Sequence, residues 1–194
     1  MRHDFHALGY GYKIRPVTLE DAEFIVELRT DRQRACYLNK IDKDVNKQRS
    51  WLSRYFDLIG DYYFAIECHT KNNVEGLVGI YNVNNVSAVG EWGRWILKPG
   101  SKAALGSALL SYSVAFESLG LEILHIHTLV ENEKALAFHD RFGLRRVKII
   151  KNYAVIDGSK RDAVRHVISA TEWPEFKQKL APTAWELATK CGLA

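Results

Sequence analysis

The sequence of 194 residues lacks the features that mark disulfide frameworks, paired metal motifs and membrane spans. The chain has three cysteines, Cys36, Cys68 and Cys191, which are too few and too far apart for a disulfide framework or a paired metal motif. No stretch approaches the roughly 18 apolar residues of a transmembrane helix, and the first residues lack the apolar run of a signal peptide. We therefore expect a cytoplasmic protein in a reducing compartment, with no bound metal and no membrane partner.

Proline is scarce, with four residues, and no segment rich in glycine, proline or serine divides the chain. We expect one domain over residues 1–194, with a core of about 13–170 and a helical C-terminal extension over 171–194. Lysine and arginine number 27 against 23 acidic residues. This small, unclustered excess permits a phosphate-bearing ligand but does not indicate a nucleic-acid partner.

Apolar periodicity predicts an alternation of short strands and helices. Strand patterns occupy residues 12–17, 62–66, 74–83, 86–97, 121–130, 144–150 and 163–169. Helical patterns occupy about 19–28, 44–58, 103–119, 132–142 and 172–190, the last broken by Pro182. This order predicts an α/β (α+β) domain, in which helices cover a mixed sheet of about seven strands.

Two stretches carry chemistry. From Trp95 to Leu110, a strand gives way to a loop of small residues and then to an apolar helix, which suits a phosphate group but also a plain connection. The second stretch, 131–144, has four residues at a distinctive spacing: Asn132, Ala135, Phe138 and Gly143. Together the stretches resemble the GNAT superfamily of acetyl-CoA-dependent N-acetyltransferases, near the RimJ/RimL group and sugar-nucleotide acetyltransferases such as PseH. The resemblance covers about residues 13–170.

The resemblance implies a mostly antiparallel, twisted sheet with helices on both faces and splayed central strands that hold acetyl-CoA, the co-substrate. The family's pyrophosphate loop has the pattern Arg/Gln-x-x-Gly-x-Gly/Ala, and only Gly106 of this chain matches it. Ser101 stands where the family has arginine or glutamine, and Lys102 would supply the missing positive charge. The strand ending near Leu97 would hold pantetheine by backbone hydrogen bonds, and a bulge there would free an N–H for the thioester oxygen. The implied cofactor-binding residues are Ile96, Leu97, Lys98, Lys102, Ala104, Leu105, Gly106, Ser107, Asn132 and Phe138.

Three residues are candidates for proton transfer. His139 falls where many family members have a tyrosine that protonates the thiolate, and an imidazolium could do the same. His127 occupies the place of a glutamate base in ribosomal-protein acetyltransferases, whereas Glu91 stands on a strand that often carries a glutamate. The plainer interpretations are a surface histidine, a buried pair of His125 with His127, and an ion pair of Glu91 with Arg94 or a nearby lysine. The spacing of His125 and His127 could also suggest a pair of metal ligands, but no third ligand is visible in the sequence. The sequence leaves open which of Glu91 and His127 is the base.

Arg29, Tyr37 and Trp92 are candidates for contact with the acceptor. Arg29 and Tyr37 lie in the region that walls the acceptor site in this superfamily, and Arg29 could meet a nucleotide-sugar phosphate. Strand alternation predicts that Trp92 and Trp95 lie on opposite faces, so that one packs in the core and the other could line a sugar pocket, although core packing accounts for both.

The predicted function is direct transfer of an acetyl group from acetyl-CoA to a primary amine of a nucleotide-linked amino sugar made for surface polysaccharide. One alternative is acetylation of a protein N terminus or lysine, as in ribosomal-protein acetyltransferases. Another is a non-catalytic module that binds acyl-CoA. The C-terminal stretch could pack on a second subunit, which would give a homodimer, through Phe176, Leu180, Trp185 and Leu187.

Overall fold

The computed structural model describes residues 3–193, and within them eight strands form one sheet. The strands are β1 (Ala7–Gly9), β2 (Tyr12–Pro16), β3 (Tyr62–Cys68), β4 (Asn73–Asn84), β5 (Val89–Leu97), β6 (Ile123–Leu129), β7 (Arg145–Ile156) and β8 (Ser159–Ser169). Their order across the sheet is β1-β2-β3-β4-β5-β6-β8-β7. The predicted mixed sheet is confirmed. The additional strand, β1, forms a hairpin with β2 through Tyr10 and Gly11, which both have positive φ.

Five helices flank the sheet in the described part of the chain. They are α1 (Ala22–Thr30), α2 (Val45–Tyr55), α3 (Ala104–Ser113), which continues as a π-helical turn (Val114–Ser118), α4 (Glu133–Arg141) and α5 (Trp173–Lys190). The predicted break at Pro182 is wrong, because α5 runs through this residue. Apolar residues on one face of α5, from Trp173 to Ala188, pack on the core and compensate for the hydrogen bond that proline cannot donate.

The sheet has an apolar core on each face. Along β3, Phe64 and Ile66 face the core beneath α3 and α5, whereas Tyr63 and Ala65 face the core beneath α1 and α2. The predicted helices on both faces are therefore confirmed. Among residues 3–193, no helix combines the length and apolar character that crossing a membrane requires.

The C-terminal residues predicted to face a second subunit do not all lie on the surface. Leu180 is buried within this chain, against the same core as α3, whereas Trp185 and Leu187 are exposed. Leu180 is therefore excluded from the predicted subunit contact. A homodimer remains a prediction.

The central strands β5 and β6 separate at one end of the sheet. They are the only parallel neighbours in the described sheet, and their pairing ends at Trp92 opposite Ile126. Beyond that point β5 continues along β4 to Leu97, while β6 continues along β8 to Leu129. The two strands thus open a gap that positions the candidate active site.

Candidate active site

The gap between β5 and β6 opens into a cleft of about 330 Å³. Its walls include Arg29, Arg34 and Tyr37 after or near the end of α1; Tyr81, Trp92, Arg94 and Trp95 on β4 and β5; and His127, Asn132, His139 and Tyr153 on β6, at α4 and on β7. The fold therefore gathers the three candidate acceptor residues and both candidate histidines around one cavity. Glu91 is not among the residues that line the cleft, but it is hydrogen-bonded to His127, which is.

A β-bulge shapes the β5 side of the cleft. Gly79 pairs with Gly93 and Leu77 with Ile96, so that Arg94 and Trp95 together oppose a single residue of β4. Arg94 takes the left-handed conformation, with φ of 51°. The bulge expected near Leu97 therefore lies two to three residues earlier in the strand.

The bulge also overturns the prediction that Trp92 and Trp95 face opposite sides of the sheet. The extra residue shifts the alternation, and the two ring centroids lie 5.3 Å apart. Both indoles are anchored on α3: Trp92 Nε1 donates to Ser111 Oγ at 2.7 Å, and Trp95 Nε1 donates to Ser107 Oγ at 3.2 Å. Trp92, which is only 2% exposed, forms part of the cleft floor.

The candidate bases Glu91 and His127 form a hydrogen-bonded chain that continues to Arg165. The sheet register places His127 opposite Arg165 on β8. Glu91 Oε2 lies 2.8 Å from His127 Nδ1, and Arg165 Nε donates to His127 Nε2 at 2.8 Å. Because Nε2 accepts a hydrogen bond, the imidazole proton lies on Nδ1 and is donated to Glu91. His127 therefore has no free lone pair with which to accept a proton, whereas the Glu91 carboxylate does.

Hydrogen bonds keep the Glu91 carboxylate ionised. Burial raises the pKa of Glu91, but hydrogen bonds from His127 and from Asn82 outweigh this effect and hold the pKa below its usual value. The Asn82 amide donates to Glu91 Oε1 at 3.0 Å from a second bulge, where Asn82 has φ of 51°. The Glu91 side chain is 22% exposed, so water can reach it.

Two tyrosines surround this carboxylate. The Tyr153 ring lies 4.8 Å from the His127 ring, and burial together with the charge of Glu91 raises the pKa of Tyr153 to about 12. Burial also raises the pKa of Tyr81, as do the nearby Tyr153 and Glu91. Both phenols therefore remain protonated at neutral pH.

The sequence allows an ion pair between Arg94 and Glu91, but the structure does not contain this pair. The Arg94 guanidinium binds Asp61 through two hydrogen bonds, of 2.6 and 2.7 Å, and lies 4.5 Å from the centroid of the Tyr81 ring. The bulge directs Arg94 toward Asp61 and away from the carboxylate. Next to it, Gly93 leaves room for Tyr81, because a Cβ there would lie 2.6 Å from the Tyr81 hydroxyl oxygen.

His139 is buried beneath the tryptophan pair and is only 1% exposed. Its ring lies 5.6 Å from that of Trp92, and its Nδ1 has no hydrogen-bond partner in the described structure. Burial, aided by nearby His166, lowers the pKa of His139 to about 3. The predicted imidazolium acid therefore does not exist at neutral pH, although a neutral imidazole remains at the cleft.

Backbone groups dominate the expected cofactor side. Lys98 N–H donates to Glu75 O of β4 at 2.8 Å, and because hydrogen-bonding direction alternates along a strand, the N–H and C=O of Leu97 face the gap. After β5, α3 begins at Ala104 without a side-chain cap from any described residue. The N–H groups of its first turn, including those of Ala104 and Leu105, are therefore free to bind an anion.

The side chains of the implied cofactor residues have mostly structural contacts. A Cβ at Gly106 would lie 3.1 Å from Tyr12 and 3.2 Å from Tyr10, so packing against the β1–β2 hairpin accounts for this glycine. Ser107 binds Trp95. Ile96 and Leu105 are buried, each in a different core. The Lys98 ammonium lies over the ring of Phe24, and Lys102 is exposed. Phe138 packs on Trp95. Asn132 caps α4 by accepting from Ala135 N–H at 3.3 Å.

Positive charge is concentrated between residues 29 and 54. This segment has eight lysines and arginines against three acidic residues, so its net charge of +5 exceeds the +4 of the whole chain. The prediction of an unclustered excess is therefore wrong. Arg29 and Arg34 have no ion-pair partner among residues 3–193, and no Asp or Glu occurs among the described residues lining the cleft.

His125 and His127, which are neighbours on β6, leave no nitrogen of His127 free for a metal ion in this structure. Their ring centroids lie 6.2 Å apart, and both nitrogens of His127 already have partners. Within the described chain, no group of three or more potential ligands could hold a metal ion.

Sequence reasoning missed several residues of this site: Asp61, Asn82, Tyr153 and Arg165. They come from four separate elements or connections and meet only through the sheet register and the two bulges. Asn82 alone had a local signal, as a polar residue that interrupts the apolar run of β4.

Comparisons with known proteins bear on the sequence and on the fold. Residues 13–145 match the model of the acetyltransferase (GNAT) domain. A Bacillus subtilis (strain 168) protein that carries the name of a ribosomal N-acetyltransferase, YdaF, is 29% identical over 129 residues, which span 63% of this chain and 67% of that protein.

Solved structures show the same fold. The structure of FdhC, described as a nucleotide-linked sugar GNAT, matches with a TM-score of 0.77 and 26% identity over 92% of this chain and 98% of that one. A spermidine N-acetyltransferase from Vibrio cholerae, solved with CoA and spermine, matches with a TM-score of 0.77 and 20% identity over 86% and 99% of the two chains. The second likeness concerns the fold alone.

Proposed function

The chain belongs to the GNAT acetyltransferase family, whose acetyl donor is acetyl-CoA, and we propose that its acceptor is the primary amine of a nucleotide-linked amino sugar. The observation that carries this proposal is the charge of the acceptor wall, where Arg29 and Arg34 line the cleft and no described lining residue is acidic. Such a wall attracts phosphates and repels a polycation. The likeness to FdhC supports the same acceptor class.

Glu91 is proposed as the general base. Its carboxylate is ionised and reachable by water, and it accepts the amine proton through a water molecule as the amine nitrogen attacks the thioester carbon. His127 and Asn82 are positioning residues, because their hydrogen bonds fix the two carboxylate oxygens. A positioned base of this kind contributes about 10²–10⁴-fold to the rate.

The backbone near Leu97 is proposed to bind the donor and the oxyanion. Its N–H and C=O face the gap, where they can pair with the amide groups of pantetheine and with the thioester oxygen. The uncapped first turn of α3 supplies N–H groups and partial positive charge for the pyrophosphate, and Lys102 adds a charge at its edge. Because the proposed donor contacts are made by backbone groups, acetyl-CoA binding does not require the side chains of the family's loop pattern.

His139 is proposed to stabilise the leaving thiolate without protonating it. Because burial keeps the imidazole neutral, it offers an N–H hydrogen bond as the carbon–sulfur bond breaks. A thiol has an ordinary pKa of about 8.5, so the thiolate becomes protonated by solvent after it leaves, and Glu91 releases the amine proton to solvent, which balances the step.

The test is CoA release across a panel of acceptors: UDP- and dTDP-linked amino sugars, spermidine, and basic peptides of ribosomal type. Binding of acetyl-CoA by thermal shift is the control. Turnover on an amino sugar with little turnover on spermidine or peptides supports the proposal. Turnover confined to spermidine or peptides contradicts it.

Ribosomal-protein acetylation is the second candidate, favoured by the 29% identity to YdaF. Ribosomal proteins are basic, so their N-terminal segments would have to approach a wall of arginines. Turnover on peptides alone would establish this function. Binding of acetyl-CoA without turnover on any acceptor would instead favour the non-catalytic module.

A further inference from the structure

A second cavity adjoins the cleft on the acceptor side. It has a volume of about 520 Å³ and lies beside α2, where Trp51, Arg54 and Tyr63 contribute to its lining. Arg29 and Arg94 line this cavity as well as the cleft, so the two spaces meet at these two arginines. A ligand that reaches past Arg29 and Arg94 would extend from one space into the other.

A buried hydrogen-bond donor of Arg29 lies at this junction. Arg29 Nε is buried and unpartnered within residues 3–193. The buried Tyr63 hydroxyl lies beside this guanidinium, and because a phenol both donates and accepts, it does not by itself require a further acceptor. A guanidinium can only donate, and leaving a buried donor unpaired is costly, so an acceptor such as a phosphate or carboxylate oxygen suits Arg29 here.

The charges of the cavity point to the same ligand class. Arg94 is neutralised by Asp61, and Lys47 forms an ion pair with Asp42, so these cations are already paired. Arg29 and Arg54 have no ion pair with any residue of the described chain. The cavity therefore keeps two uncompensated guanidiniums, which bind phosphates through paired hydrogen bonds.

Trp51 adds a flat surface to this anionic site. Its ring stacks on Tyr55, with centroids 5.3 Å apart and an interplanar angle of 7°, which holds the indole in place. An immobilised aromatic plane beside arginines is suited to a heterocyclic base that carries phosphates. A sugar or peptide without a base would leave this surface unused.

We propose that the second cavity binds the nucleoside diphosphate of the acceptor, with phosphates between Arg29 and Arg54 and the base against Trp51. The amino sugar then extends past Arg94 into the cleft, toward Glu91. This inference rests on the proposed function and deepens it, because it assigns a separate site to the part of the acceptor that does not react.

The test is titration of UDP and dTDP into the protein by calorimetry with CoA present at saturation, so that the nucleotide cannot occupy the CoA site. We expect binding that Arg54→Gln weakens about tenfold, the effect of losing one charge-assisted hydrogen bond. Trp51→Ala should weaken the nucleoside diphosphates but not inorganic pyrophosphate. The matched control is Arg49→Gln, an exposed position on α2 outside the cavity lining, which should stay within about twofold of wild type.

The outcomes separate this inference from the proposed function. Nucleotide binding that CoA abolishes, or that Arg54→Gln and Arg49→Gln change equally, overturns the cavity assignment. Turnover of an amino sugar with KM unchanged in Arg54→Gln also overturns it and leaves the proposed function standing. Nucleotide binding that depends on Arg54, without turnover of the amino sugars tried, supports the cavity while the proposed acceptor fails.

Discussion

The two sides of the cleft are built by different means. On the proposed donor side, the backbone N–H and C=O of Leu97 face the gap, and pairing of β5 with β4 fixes their position, whereas the uncapped first turn of α3 follows this strand. On the acceptor side, side chains of the 29–54 segment, such as Arg29 and Arg34, form the wall. A binding site formed by backbone groups tolerates substitution of its loop residues, whereas in a site formed by side chains a substitution can change which ligand is preferred. The family is therefore recognisable from the fold, and the acceptor must be inferred from charge.

The largest effect is expected from removing the proposed general base, Glu91. Glu91→Gln keeps the size of the side chain but cannot take a proton, so kcat should fall about 10²–10⁴-fold while affinity for acetyl-CoA stays unchanged. Steady-state kinetics with a thermal-shift measurement of acetyl-CoA binding checks this. The exposed Glu122→Gln is the matched control. A kcat within threefold of wild type would remove Glu91 from the mechanism.

Loss of a positioning residue should cost less and leave a signature in the pH profile. In His127→Ala, Glu91 loses a hydrogen bond that lowers its pKa, so its pKa rises. We expect kcat to fall about tenfold and the acidic limb of kcat/KM, where Glu91 becomes protonated, to move to higher pH. A fall in rate with an unmoved limb would assign His127 a purely structural role.

The bulged strand between the two sides should be sensitive to a single methyl group. Gly93→Ala places a Cβ 2.6 Å from the Tyr81 hydroxyl, which must shift. We expect a loss of about 1–3 kcal/mol in the free energy of unfolding. The control is Gly9→Ala, whose Cβ lies 3.5 Å from Leu110 in ordinary contact. Equal stabilities of the two variants would contradict the packing described for Tyr81.

Burial of His139 should appear in the acid stability of the protein. Its folded pKa, about 3, lies below the ordinary value of 6.5, so the unfolded chain binds the proton more tightly. Stability from the neutral imidazole is complete above pH 6.5 and is lost as the pH falls toward 3. Denaturant unfolding between pH 7 and 4 should show a decline that is smaller in His139→Gln by about 1 kcal/mol or more. An identical decline in both proteins would mean that His139 is not buried as described.

The smallest effect is expected at the exposed edge of the donor side. Lys102 has no ion-pair partner in residues 3–193, and the helix start already supplies N–H groups for the pyrophosphate. Lys102→Gln should therefore weaken acetyl-CoA binding less than about fivefold. Calorimetric titration checks this. A loss above a hundredfold would show that side chains, and not the backbone, dominate the donor side.

The sequence predicts the elements of this molecule better than it predicts their contacts. Periodicity locates most strands and helices, because burial against one core repeats every two or 3.6 residues. It fails at Trp92 and Trp95, where the Arg94 bulge shifts the alternation. It also fails at Pro182, where packing of α5 overrides a local helix breaker.

The candidate site is only partly predictable for a related reason. Glu91, His127 and His139 stand out by residue type, yet their states depend on partners distant in the chain. The contact of Arg165 with His127 removes the lone pair that the sequence offered as a base. Whole-chain charge likewise hid the +5 of the 29–54 segment, because the rest of the chain is slightly acidic.

The most direct test of the contrast between the two sides is the ratio of kcat/KM for a nucleotide-linked amino sugar to that for spermidine. It should be measured in wild type, in Arg34→Gln and in the control Arg32→Gln, an exposed neighbour outside the cleft lining. We predict a ratio well above one in wild type that falls several-fold in Arg34→Gln and stays unchanged in Arg32→Gln. A wild-type ratio below one, or equal ratios in all three proteins, would contradict an acceptor side that selects by charge.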